Sequence, residues 1–92
     1  FVDNNNKKIF EDLLNLLKNM SDTLTSEQIQ TMIYEVGKKH HFSNLRDFFK
    51  LIYQVLLGQE QGPRLGSFVK LYGKKNTCLL LEKVLKGENL SN

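Results

Sequence analysis

Tryptophan is absent from this chain, and cysteine and proline occur once each. With Cys78 alone no internal disulfide can form, so packing must hold the fold, and a reducing, cytoplasmic setting is the simplest fit. Cys78 has no nearby His/Asp pair to make it a nucleophile and reads as a small core residue. No apolar run approaches the roughly 18 residues that cross a bilayer, and no signal-peptide pattern is present, so we expect no membrane contact. The two histidines, His40 and His41, are adjacent and cannot face one site from a helix. With no cysteine pair or acid at ligand spacing, no metal is expected. Gly58, Gly62 and Gly66 are evenly spaced but follow a helix-like run, so they are not a strand-borne phosphate loop. Leu65-Gly66-Ser67-Phe68-Val69 lacks the glycine pattern of a nucleophile elbow, and no carboxylate pair sits in an apolar setting that would tune it for acid–base work. These absences leave no catalytic residue and no cofactor of its own. The chain reads as a binding module.

What is present is helical. The 92 residues, 40% hydrophobic and 25% charged, suit one globular domain over 1–92. Residues 1–6 and 88–92 are expected to be loose ends, and the opening on Phe1 leads us to expect a piece of a longer protein. Ile9, Phe10, Leu13, Leu14, Leu16, Leu17 and Met20 recur at helical spacing, predicting a helix over about 7–20 with Asn6 as cap. Thr25 opens the next helix, with Gln28 at capping-box spacing and Glu27 in the favourable first turn. Ile29, Met32, Ile33 and Val36 share its inner face, and Tyr34 lies off it as a rim residue or a contact. Gly37 either caps this helix or sits within its last turn, and Lys38, Lys39, His40 and His41 suit a helix C-terminus. Ser43 or Asn44 caps a third helix whose stripe, Leu45 to Leu57, is the broadest in the chain. No useful strand-like alternation appears. The fold class is therefore all-α, with about five short helices packed as a cage or bundle.

The segment Gly58 to Gly73 punctuates this pattern and holds four of the six glycines. Gly58 stops the third helix, Pro63 is expected as the first residue of a short fourth one, and Gly73 ends it. Asn76 is expected to cap the last helix, which Gly87 stops. Tyr53, one turn before Gly58, is placed so that its hydroxyl reaches the corner. Arg64, Lys74 and Lys75 lie at helix N-termini, the wrong end for a cation, where an anion would be welcome. Charge is uneven overall. Residues 1–36 carry three lysines and six acids, whereas 37–92 carry ten Lys/Arg and four acids. The C-terminal half thus suits an anionic partner such as RNA.

The motifs Phe48-Phe49-Lys50-Leu51-Ile52-Tyr53-Gln54-Val55-Leu56-Leu57-Gly58, Gly62-Pro63-Arg64, Gly66-Ser67-Phe68 and Leu71-Tyr72-Gly73-Lys74-Lys75 resemble the C-terminal end of class I lysyl-tRNA synthetases. The glutamyl-tRNA synthetases share a weaker form. The resemblance implies an α-helical cage that binds the anticodon stem-loop of tRNA(Lys). It implies a full-length ligase that uses ATP to join lysine to that tRNA, with the nucleotide-binding signatures on an N-terminal catalytic domain. Carried over by position, tRNA contacts would involve Tyr53, Gly62, Pro63, Arg64 and Leu65 at the corner. Lys70, Lys74 and Lys75 would follow the RNA backbone. Tyr53 would stack on a splayed base, Arg64 would hold a phosphate or a base, and Gly66 would admit a neighbouring helix or the RNA. An all-α protein–protein interaction domain with no RNA role is the alternative.

Overall fold

The computed structural model describes residues 4–87, with side chains from residue 6 onward. Five helices follow in order: α1 Asn4–Asn19, α2 Ser26–Lys39, α3 Leu45–Leu57, α4 Leu65–Tyr72 and α5 Lys74–Leu85. There is no strand among the described residues. The two most extensive packings are α1 on α5 and α2 on α4, while α3 rests against α2 and α5. The core is where the apolar stripes meet. Phe10, Ile29, Phe48, Ile52, Leu81 and Val84, one or two from each of α1, α2, α3 and α5, are essentially fully buried. Burying each such side chain contributes about 1.5–3 kcal/mol.

Local signals set most helix ends. The capping box at Thr25 is complete: its side chain accepts from the Gln28 N–H, and the Gln28 side chain accepts from the Thr25 N–H. Asn44 rather than Ser43 caps α3, accepting from the Arg46 N–H at 2.8 Å. Gly58 takes the left-handed conformation, φ 70°, that ends α3 without a Cβ penalty.

Three capping expectations are corrected, and the alternative left open for Gly37 is resolved. α1 begins at Asn4, so Asn6 lies inside the helix and not at its cap. The asparagine penalty in a helix is only a few tenths of a kcal/mol, and Ile9 and Phe10 already anchor this end in the core. Of the expected loose ends, 1–3 and 88–92 lie outside the described residues. Gly37 does not end α2. It is buried within the last turn, where a Cβ would stand 2.8 Å from the Phe48 ring, and His41 takes the left-handed position instead at φ 64°. Pro63 is not the first residue of α4. The helix starts at Leu65, and Arg64 occupies the cap position with extended ψ 130°. Asn76 does not cap α5. Gly73 does, at φ 99°, and Asn76 Nδ2 donates back to the Tyr72 carbonyl.

The closest approach in the fold is at Gly66. A Cβ there would lie 2.1 Å from the Ser26 carbonyl oxygen and 3.0 Å from the Gln30 nitrogen. The backbones of α2 and α4 therefore touch, and it is a neighbouring helix, not RNA, that Gly66 admits.

Candidate nucleic-acid interface

Beside the corner between α3 and α4 lies an open cleft of about 470 Å³. One wall is a single face of α3, because Arg46, Phe49, Lys50 and Tyr53 recur at i, i+3, i+4 and i+7. The facing wall is α2, where Gln30 and Tyr34 stand one turn apart. Glu60, Gln61 and Arg64 of the corner close the rim. Tyr34 and Phe49 meet edge-on across the cleft, with ring centroids 5.1 Å apart.

The corner is laid on Tyr53. The Tyr53 hydroxyl donates to the Pro63 carbonyl at 2.8 Å. A Cβ on Gly62 would stand 3.0 Å from the Tyr53 ring and 2.8 Å from Leu57. Only a bare backbone fits there without displacing those side chains. Burial, together with the neighbouring Tyr34 phenol, pushes Tyr53 above its ordinary pKa. Its hydroxyl therefore stays protonated and keeps donating at neutral pH.

Two carboxylates hold cations of this cleft. Arg64 Nη1 donates to Glu27 Oε1, joining the cap position of α4 to the first turn of α2. Lys50 Nζ stands 3.6 Å from Glu60. Both pairs are largely solvent-exposed, so each contributes little to stability and opens readily. The arrangement offers aromatic faces, amides and exposed cations around a volume open to solvent. Its lining holds no cysteine, serine, threonine or histidine. It can take a flat, polar, anionic ligand.

The residues expected to touch tRNA do not form one cluster. Tyr53 and Arg64 line the cleft, with Gly62 and Pro63 at its corner. Leu65 is a core residue, 4% exposed, that anchors the start of α4. The lysines lie around α5. Lys74 donates to the Met20 carbonyl at 2.7 Å and stands 3.6 Å from Asp22, tying α5 to the end of α1. Lys70 lines a small crevice with Asp22 and Lys74, and Lys75 an open one with Lys18 and Glu82. Sequence reading overlooked Gln30, Arg46, Lys50 and Gln61 and left Phe49 in the core stripe. The signal was there in the helical spacing of 46, 49, 50 and 53. Among the described residues no three His, Cys, Asp or Glu converge as metal ligands, and no helix is long and apolar enough to cross a membrane. Burial pushes the Cys78 thiol up, against smaller opposing pulls from Lys18 and Lys74, so it is a protonated core group.

Comparison with known proteins gives a consistent answer. The model of the family described as "Anticodon binding domain" matches residues 2–85. A "Lysine--tRNA ligase" of Rickettsia felis is 53% identical over 76 residues, 83% of this chain and 14% of the relative. Proteins of the same name from Rickettsia bellii and Rickettsia prowazekii are each 49% identical, over 86% and 91% of this chain and 15% and 16% of their own lengths. The chain thus spans about one seventh of the curated relatives it matches. No solved structure gives a significant match.

Proposed function

The chain belongs to the anticodon-binding domain family, and from that premise we propose that it recognises the anticodon stem-loop of tRNA(Lys) within a lysine–tRNA ligase. The parent enzyme would be a class I aminoacyl-tRNA synthetase working in the cytoplasm. It would join lysine to tRNA with ATP on a catalytic domain outside this chain. The names of relatives about 50% identical over most of the chain support the amino acid.

One observation carries the local mechanism: the cleft walled by Tyr34, Phe49 and Tyr53 and rimmed by Arg46, Lys50 and Arg64. An anticodon base turned out of its loop enters the cleft and stacks on a tyrosine face, worth about 1–3 kcal/mol. Its phosphates approach the rim. Arg64 there exchanges Glu27 for a phosphate or base edge, and Lys50 does the same with Glu60. The exposure of both ion pairs makes that exchange inexpensive. Lys70 and Lys75 remain available to more distant phosphates.

The test is a titration of the isotope-labelled domain with a tRNA(Lys) anticodon hairpin and with the same hairpin carrying a changed anticodon, at two salt concentrations. We expect resonance shifts centred on Tyr34, Arg46, Lys50, Tyr53 and Arg64, weaker for the changed anticodon. Equal shifts for both hairpins that vanish at higher salt would reduce the interaction to charge attraction and remove the assignment.

A further inference from the structure

Gln30 is one of two buried polar side chains among the described residues, 5% exposed, and it forms part of the cleft wall. Its Oε1 accepts from the backbone N–H of Gly66 at 2.7 Å. That bond does two things. It supplies α4 with the cap that Arg64, at the cap position, does not provide. It also fixes which way the carboxamide points. A backbone N–H can only donate, so the group facing it must be the oxygen, and the planar amide then directs its NH2 the other way. No acceptor among the described residues takes a hydrogen bond from that nitrogen. No buried side-chain nitrogen or oxygen is left without a partner there either, so the NH2 is not sealed in the core. The cleft is the concavity that Gln30 lines, so the NH2 is taken to open on it.

The other polar groups of the cleft are less committed. Arg46, Lys50, Glu60, Gln61 and the Glu27-paired Arg64 are exposed and can rotate, the Tyr34 hydroxyl proton turns freely about its C–O bond, and the Tyr53 proton is already given to Pro63. Gln30 is therefore the donor whose position the fold itself sets. A fixed donor discriminates between bases. Uracil presents a carbonyl acceptor at C4, whereas cytosine presents an amino donor there. Donor facing donor leaves both groups unpaired in a confined site, which costs affinity.

We propose that Gln30 is a specificity-determining residue: its NH2 donates to the C4 carbonyl of a uridine in the anticodon, and so rejects cytidine. This rests on the tRNA(Lys) reading, since codons of adenines are paired by uridines.

The test uses Gln30→Glu. A carboxylate keeps an acceptor for the Gly66 N–H beside a helix N-terminus that favours negative charge. It replaces the donor facing the cleft by an acceptor. Affinities are measured for a hairpin with anticodon UUU and for three hairpins with one uridine changed to cytidine. The unaltered domain should prefer uridine by about tenfold at one position. Gln30→Glu should abolish or reverse that preference at that position alone. If the variant binds every hairpin more weakly but keeps the same uridine preference, its charge alone is acting and the assignment of Gln30 fails, while anticodon reading stands. If the unaltered domain shows no base preference anywhere, anticodon reading itself fails and takes this inference with it. The unaltered domain gives an independent readout should the variant not fold. The Gln30 side-chain NH2 resonances should move with the UUU hairpin and not with the cytidine hairpin that binds worst, and resonances that move equally with both overturn the proposal.

Discussion

The cleft between α2 and α3 and the groove between α1 and α2 are similar in volume, about 470 and 540 Å³, and opposite in chemistry. Helix α2 is a wall of both. Its Gln30–Tyr34 face looks on the first, and its Met32, Glu35, Val36 and Lys39 face on the second. Three cations, three aromatic rings and one carboxylate line the cleft. Two carboxylates, two methionines, two asparagines and one lysine line much of the groove, which has no aromatic ring. One of the groove's two acids is also committed. Asp12 accepts from His40 Nε2 at 2.6 Å and has Lys39 at 3.5 Å, so it fastens the end of α2 to α1. Volume alone therefore does not distinguish an RNA site on this molecule. On the proposed reading, planar faces beside loosely paired cations do.

The largest effect we expect comes from removing the scaffold behind the cleft. Gly66→Ala drives a methyl into the Ser26 carbonyl, and backbone cannot step aside as a side chain would. The variant should lose about 3 kcal/mol or more in chemical denaturation, or fail to fold. Next, the two concavities can be set against each other directly. Replacing both Arg46 and Lys50 by Ala should weaken anticodon-hairpin binding about tenfold and flatten its salt dependence. Lys39→Ala, in the groove, should change affinity by less than about twofold. An equal loss from Lys39→Ala would show that the two faces are not functionally distinct.

The groove should instead reveal itself through stability and acid. Asp12 is held below its ordinary pKa of 3.8: desolvation pushes it up, but the His40 hydrogen bond and the charges of Lys39, His40 and Lys8 outweigh that. A depressed carboxyl contributes stability above its unfolded pKa and loses it as pH falls through the lower folded value. Asp12→Asn should therefore cost about 1–2 kcal/mol at neutral pH. It should also remove that contribution to the acid-induced loss of stability below about pH 4, and leave hairpin affinity unchanged. The smallest expected effect is Gly58→Ala. A side chain at φ 70° costs about 1 kcal/mol in thermal unfolding, with a correspondingly slight loosening of the corner.

Much of this was legible in sequence, for physical reasons that are local. The apolar period placed all five helices, and the Thr25–Gln28 box and Gly58 marked their ends, because caps act within a few residues of the backbone they satisfy. Tyr53 was expected to reach the corner, and does, since it lies one turn from it. Pro63 and Asn76 misled because each is a competent helix starter in isolation, yet the Tyr53 hydroxyl engages the Pro63 carbonyl and Gly73 takes the cap position of α5. Gln30 was not singled out at all. A glutamine on the inner side of a helix carries no local mark. Its partner, Gly66, is 36 residues away in sequence.

The basic residues show the division most clearly. The sequence alone determined that Arg64 and Lys74 stand at or just before helix N-termini, where a cation meets the positive end of the helix dipole. Only the tertiary structure decided what that means. Lys74 lies at the start of α5 but donates to the Met20 carbonyl just past α1, the correct end of another helix. Arg64 meets Glu27, an acid in the first turn of α2. Helix position follows from hydrogen bonds four residues apart, so it can be read along the chain. Charge pairing follows from which helices pack together, and that is settled only when the whole core closes.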